Sequence, residues 1–227
     1  MDKIKIIIAS HKRYQKPEEK MYMPVQVGAE GKEKIEGYIP DNNGENISEK
    51  NANYCELTGL YWAWKNLDAK YIGLVHYRRY FTTSKKVPKE EAEKFKIVLT
   101  EEQVEEKLKK ADIILPQKRN YYIENLYSHY EHTMYVEPLN ETRKIIEEKY
   151  PEYLQEFDKL HKRTSAHMFN MFIMKKEILN QYCEWLFDIL FELEKRVDVS
   201  KFDNFHARFY GRISAAGIAW KTGGTYA

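Results

Sequence analysis

The sequence predicts an α/β domain of three layers, with a sheet between helices and a helical insertion. Three observations predict it. Short apolar runs alternate with segments of helical period, a helical block interrupts them over about 121–160, and one apolar run ends abruptly in cationic side chains. Residues 1–214 read as a single domain and 215–227 as a divergent or truncated tail.

Each element has its own signal. The isoleucine-rich run 4–9 is a first strand, with Ser10, His11, Lys12 and Arg13 at its exit. A second strand over 22–27 stops at Gly28, where the missing Cβ permits a tight turn or close approach of a ligand. The polar stretch 41–46 forms a loop by its turn residues, and Ser48 or Asn51 is placed to cap the helix that follows. That helix runs to about Leu67, with Tyr54, Leu57, Tyr61 and Trp64 on one stripe and Leu60, Ala63 and Leu67 on the next. Glu56 precedes Leu60 by one turn, so it faces inward near the amino end, where the helix dipole favours a carboxylate. Both a structural and a catalytic acid fit that place.

After a strand over 71–76, residues 85–96 read as an exposed charged excursion around Pro88. Thr100 and Gln103 make a capping box that opens a helix to about Lys110, and 111–116 is another strand. Pro151 sits well at a first helical position within the 121–160 block. A strand over 169–174 then enters a long helix in which Ile178, Tyr182, Leu186, Ile189 and Leu193 recur at helical steps. Ser200 opens a last helix with Phe202, Phe205, Phe209 and Ile213 as its core stripe.

Composition sets the outer limits. With 227 residues, 43% hydrophobic and 14% aromatic, the chain has ample material for a packed core. Lys plus Arg number 37 against 35 Asp plus Glu, so no global field points to nucleic acid and any anion site must be local. Cys55 and Cys183 both fall in helical patterns, which suits buried thiols in a reducing compartment. The amino-terminal segment is too short and too interrupted by Lys5 for a signal peptide, and no run approaches membrane-spanning length. A cytoplasmic protein is expected. The 18 Tyr and 4 Trp suit a sugar site and equally a peripheral place at the inner face of the plasma membrane.

The most informative stretch is 71–81, Tyr-Ile-Gly-Leu-Val-His-Tyr-Arg-Arg-Tyr-Phe. Carboxyl ends of strands in open α/β sheets line the ligand crevice. Arg78 and Arg79 offer planar, permanently charged forks suited to phosphate or carboxylate, and His76, Tyr77 and Tyr80 interleave with them. Familiar alternatives are missing: no phosphate loop, no Gly-x-Gly-x-x-Gly, no His-Glu-x-x-His and no Gly-x-Ser-x-Gly occurs. His129 and His132 share a helix face without an evident third ligand, so they read as polar or substrate-facing groups.

Six segments in order carry a resemblance. They are Asp41-Asn42-x-Gly-x-Asn-Ile-Ser, Asn51-x-x-Tyr-Cys-Glu-Leu-Thr-Gly-Leu-Tyr-Trp-Ala-Trp-Lys-Asn, the 71–81 stretch, Ala111-Asp-Ile-Ile-Leu-Pro, Phe169-Asn-Met-Phe-Ile-Met and Phe209-Tyr-Gly-Arg-Ile-Ser. Over roughly 3–214 the chain resembles bacterial capsular and exopolysaccharide glycosyltransferases, a group long catalogued as a domain of unknown function. The resemblance implies a GT-A-like, Rossmann-type nucleotide-sugar transferase domain. It also implies a UDP-sugar donor, galactofuranose in some members, and a glycan or lipid-linked saccharide acceptor in a growing surface polysaccharide.

Many transferases of this fold hold a divalent cation on an Asp-x-Asp motif at a central strand end. Here His76, Tyr77, Arg78 and Arg79 occupy that position, so an enzyme without metal or other cofactor is expected, its cations stabilising the leaving diphosphate. His11 and Lys12 are expected to assist the phosphates, Val27 and Gly28 to line base or ribose, and Asp41 and Asn42 to join the donor-binding set. An inverting transferase needs a base for the acceptor hydroxyl. Asp203 and Glu56 lead the candidates, with His167 behind them, and Asn170 either binds a sugar or holds a loop. Asp203 shares a helix face with His206 and Tyr210, although Ser200 to Asp203 also reads as a capping box. The family pattern continues past Ser214 with an acidic residue and an apolar helix, whereas here small residues and three glycines follow. Two other readings stay open: a non-catalytic nucleotide- or carbohydrate-binding module, and a phosphotransferase acting on a sugar phosphate.

Overall fold

The computed structural model describes residues 2–221. Its strands are β1 (Asp2–Ser10), β2 (Tyr22–Gln26), β3 (Ile39–Pro40), β4 (Ala69–His76), β5 (Ile113–Ile114), β6 (Arg119–Asn120), β7 (Ser165–Ala166) and β8 (Phe172–Lys175). Its helices are α1 (Asn51–Tyr54), α2 (Leu57–Asn66), α3 (Glu91–Phe95), α4 (Glu101–Leu108), α5 (Leu126–Thr133), α6 (Glu137–Lys149), α7 (Pro151–His161), α8 (Lys176–Arg196) and α9 (Phe209–Lys221).

Six strands form one sheet in the order β3-β2-β1-β4-β8-β5, and β6 pairs with β7 separately. β1 to β4 are mutually parallel, while β8 runs antiparallel to both β4 and β5. The reversal has a functional result. The exits of β1, β2, β4 and β5 and the entrance of β8 all meet at one edge of the sheet.

β1 shows why the layers form. Ile4, Ile6 and Ile8 join the core on one face with Val104 and Leu108 of α4, while Ile7 and Ala9 join the other with residues of α2 and α8. A strand covered on both faces reads as a continuous apolar run, which is how the segment appears in the sequence. α8 buries nine side chains from Leu179 to Leu193, among them Trp185 and Leu190, each contributing about 1.5–3 kcal/mol of transfer free energy before ordering costs. The Thr100–Gln103 capping box and Pro151 at the first turn of α7 are both present.

Several local expectations are corrected. The helix expected to run to Leu67 breaks at Cys55, whose φ is 52°. Asn51 does not cap its start: its Nδ2 donates to Cys55 O (2.7 Å) and to Thr58 Oγ1 (3.1 Å), so a side chain competes with the helix ladder and ends α1. Ser48 instead donates its hydroxyl to Asp41. Cys183 is buried as expected, but Cys55 lies at the helix break, half-buried.

The helix expected from Ser200 is two 3-10 turns, at Val199–Lys201 and His206–Arg208, before α9 begins. Asp198 accepts from Ser200 N, and Asp203 accepts from Phe205 N and His206 N, so each carboxylate turns the chain locally. Phe205 is consequently exposed and not part of a core stripe. The excursion at 85–96 contains the short α3, and the helical block is bracketed by the β6–β7 ladder. α9 continues as a helix through Gly217 to Lys221, and the rest of the expected divergent tail lies outside the described residues. No helix among the described residues is long and apolar enough to cross a membrane.

Candidate active site

At the edge where the strand ends meet lies an open cleft of roughly 890 Å³. Ala9, His11, Val27, His76 and Tyr77 come to it from strand exits, and Phe169 and Asn170 from the entrance of β8. The α1–α2 break supplies Asn51, Cys55 and Glu56, the start of α9 supplies Arg208 and Arg212, and the helical block supplies Arg119, Tyr121, His129 and Tyr130. Lys32, Arg79, Arg119, Arg208 and Arg212 give the walls five permanent positive charges, against the single carboxylate of Glu56. A chain of formal net charge +2 thus has a local excess of positive charge in one crevice, as a local anion site requires.

The turn after β4 separates the two neighbouring arginines. Arg79 N donates to His76 O (2.9 Å), which puts Tyr77 and Arg78 at the tip. Arg78 lies 5.0 Å over the Tyr77 ring and donates from Nη2 to Tyr14 Oη (3.1 Å), outside the cleft lining. Arg79 stands over the Phe169 ring at 4.5 Å, within it. Lys12 is drawn aside in the same way, over the Tyr14 ring at 5.1 Å. It helps, with Tyr77 and Arg78, to hold the Tyr14 phenol below its ordinary range.

Backbone strain marks the same place. Cys55, Phe169 and Asn170 all line the cleft with positive φ, a conformation that non-glycine residues keep only when their surroundings enforce it. The surroundings are visible. A His76 ring nitrogen, Nε2, is 2.5 Å from Phe169 O, and Asn170 Nδ2 donates to Glu56 Oε1 (2.7 Å) and Gly211 O (2.8 Å). Ser214 donates to Asn170 Oδ1 at 3.0 Å. Asn170 is buried at the cleft wall, and its amide donates to Glu56.

The His11 pKa is lowered by partial burial first, then by Lys12, Lys32, Arg208 and Arg78. Burial raises the Cys55 thiol, while Arg208, whose Nε donates to Sγ at 2.9 Å, pulls the other way.

Other expected residues stand apart from the lining. Asp41 is fully buried and accepts from Gly28 N (2.9 Å), Ala29 N (3.0 Å), Thr58 Oγ1 (2.6 Å) and the Ser48 hydroxyl. Its four donors commit it to folding the turn at Gly28. Gly28 has φ +63°, and a Cβ there would fall 2.4 Å from the Asn51 side chain, so the glycine lets Asn51 reach the cleft. Asn42 is exposed and donates to Glu30, and a His167 ring nitrogen, Nδ1, lies 2.5 Å from Pro116 O. Asp203 is held ionised by His206 and by two backbone N–H groups, and only its neighbours Asn204 and Phe205 line the cleft.

Sequence reasoning missed Asn51, Arg119, Arg208, Arg212 and Tyr130. Arg208 and Arg212 stand four apart at the start of a helical segment, a spacing that puts both on one face and gave a usable signal. The Tyr130 hydroxyl is buried with no hydrogen-bond partner among the described residues, and nothing in its sequence context announces that.

A three-layer α/β sheet whose strand ends meet in a cationic cleft defines the chain as a GT-A-like domain by architecture. Residues 5–216 match the family model described as "Domain of unknown function (DUF4422)", and the chain belongs to that family. It is similar to the apo structure of the bifunctional glycosyltransferase WbbM, with 30% sequence identity and a TM-score of 0.88. That likeness covers 100% of this chain and 44% of the WbbM chain, so the chain spans less than half of the protein it matches. No curated protein matches it.

Proposed function

We propose that the chain is a glycosyltransferase that moves a sugar from a UDP-sugar donor to a growing surface polysaccharide, with UDP-galactofuranose the first donor to test and no metal ion required. The observation that carries this reading is the charge of the cleft, five fixed cations and one carboxylate at the carboxyl edge of a sheet shared with a glycosyltransferase. As the glycosidic bond breaks, charge builds on the departing diphosphate while the sugar becomes oxocarbenium-like. Preorganised cations aimed at the phosphates lower that barrier more than they stabilise the ground state. Arg79, His76 and His11, at strand exits, are assigned to the diphosphate.

Glu56 is assigned as the base that takes the acceptor hydroxyl proton. Asn170 occupies Oε1 and leaves Oε2 without a donor among the described residues. Asn170 is a positioning residue for it.

The deciding experiment is mass spectrometry of products formed from UDP-sugars and a lipid-linked acceptor, with and without chelator. Transfer persisting under chelation is expected, and a collapse restored by manganese would refute metal independence. Arg79→Ala should lower turnover by about 10²-fold. Arg78→Ala, which leaves the lining intact, should lower it far less.

A further inference from the structure

We propose that the turn around Tyr122 and Ile123, between β6 and α5, docks onto an anionic phospholipid surface. The inference deepens the reading of a membrane-borne acceptor and rests on it for its biological sense, but not for its test.

Ile123 is 95% exposed and Tyr122 82%, the two most exposed large apolar side chains among the described residues. They are adjacent, and the backbone displays them deliberately. Tyr121 N donates to Thr164 O (2.8 Å), Ile123 N to Tyr121 O (2.7 Å), Leu126 N to Arg163 O (2.8 Å), and Tyr122 N to Asn120 Oδ1 (2.9 Å). Tyr122 is held at φ 60°, and β6–β7 pairing anchors the turn below it. A fixed projection loses little entropy on docking, unlike a floppy loop.

The charge around the tip selects the partner. Lys118 and Arg119 lead into the turn, Lys162 and Arg163 flank it on the facing segment, and all four are exposed. None has a carboxylate partner at ion-pair distance among the described residues. The nearby acids are already engaged: Glu124 with His129 and His132, Asp158 with Arg143, and Glu156 with Lys159. An apolar tip flanked by Lys118, Lys162 and Arg163, which stand outside the cleft lining, fits the interface of an anionic bilayer, where aromatic and aliphatic side chains enter the headgroup boundary and basic ones stay at the surface. A protein partner would have to match the same cations with acids and cover the tip with a pocket.

The position also suits the reaction. Tyr121, next to the tip, lines the cleft between Arg119, 5.2 Å over its ring, and His129, 4.1 Å away by ring centroids. A lipid-linked saccharide held at the bilayer would meet the cleft at its own rim.

The test is co-sedimentation of the full chain with phosphatidylcholine vesicles, with or without roughly one third phosphatidylglycerol. Binding is expected only with the anionic lipid. The double variant Tyr122→Ser with Ile123→Ser should lower partitioning by about tenfold, and Lys162→Glu with Arg163→Glu should lower it further at low salt than at high salt. Neither pair lines the cleft, so donor hydrolysis by both variants should stay within about twofold of the unmodified chain. Circular dichroism melts identify a variant that has failed to fold, and Tyr122→Trp gives an independent readout through a blue-shifted emission on vesicle addition. Absence of binding to anionic vesicles, equal binding by the Ser variant, or self-association through the tip without lipid binding would each overturn the proposal. Vesicle binding is measured without donor or acceptor, so its failure leaves glycosyl transfer standing, and failed transfer leaves vesicle binding standing.

Discussion

Two carboxylates, Asp41 in the loop after β3 and Glu56 directly after the helix break at Cys55, have surroundings that could hardly differ more. Asp41 is fully buried and receives four hydrogen bonds, two of them from backbone N–H groups. Glu56 is half-buried, receives one hydrogen bond from the Asn170 amide and faces a cleft walled by arginines. Saturation is what separates them. A carboxylate whose lone pairs are all engaged by the fold serves the fold, and one held by a single oxygen has capacity left for a substrate.

The sharpest way to break this contrast is Glu56→Gln. Turnover should fall by about 10³-fold if Glu56 is the base, while the melting temperature stays close to that of the unmodified chain because the amide still fits beside Asn170. Turnover that survives would reassign the base. Asp41→Ala should do the reverse: loss of about 3 kcal/mol of stability, read by denaturant unfolding, since buried N–H and hydroxyl donors are left without an acceptor.

A smaller effect tests the charge of the cleft. UDP brought beside His11 favours the imidazolium, raising a pKa that burial and surrounding cations hold below 6.5. Binding then takes up part of a proton, so affinity should rise as pH falls through the pKa of the complex and level off below that of the free protein. Calorimetry in buffers of different ionisation enthalpy, with NMR titration of His11, measures it. An affinity indifferent to pH across that window would place the phosphates away from His11. The smallest effect is expected at Asp203, where Asn should change turnover by no more than about threefold. A loss matching that of Glu56→Gln would return the base role to Asp203.

Much of the fold was legible because local chemistry and tertiary packing agree. The isoleucine run of β1, the Thr100 capping box and Pro151 at the start of α7 each have one strong local solution, and the structure uses it. The break at Cys55 and the two 3-10 turns before α9 were not legible. Asn51, Asp198 and Asp203 there bond to backbone within a few residues, and the apolar period runs on regardless. The cleft was half legible for a related reason. His11, Val27, Glu56, His76, Tyr77, Arg79 and Asn170 lie at or beside segment ends, where a linear reading looks for ligands. Arg119, Arg208 and Arg212 reach the cleft only through tertiary packing of the helical block and α9. Asp41 shows the converse, a polar loop residue in a conspicuous motif whose partners are two backbone N–H groups and two hydroxyls of the protein itself.

The reversed direction of β8 carries a consequence for synthesis. The Phe169 carbonyl that meets His76 is separated from it by nearly half the polypeptide, and the Asn170 amide that steadies Glu56 is more distant still. A nascent chain that has not yet emerged past β8 therefore exposes its strand tips without their backstop, and late-arriving segments must clamp them in place. Folding of this crevice is governed by long-range closure, so translational pauses upstream of β8 would prolong the interval in which Arg79 and Arg119 stand open to stray polyanions.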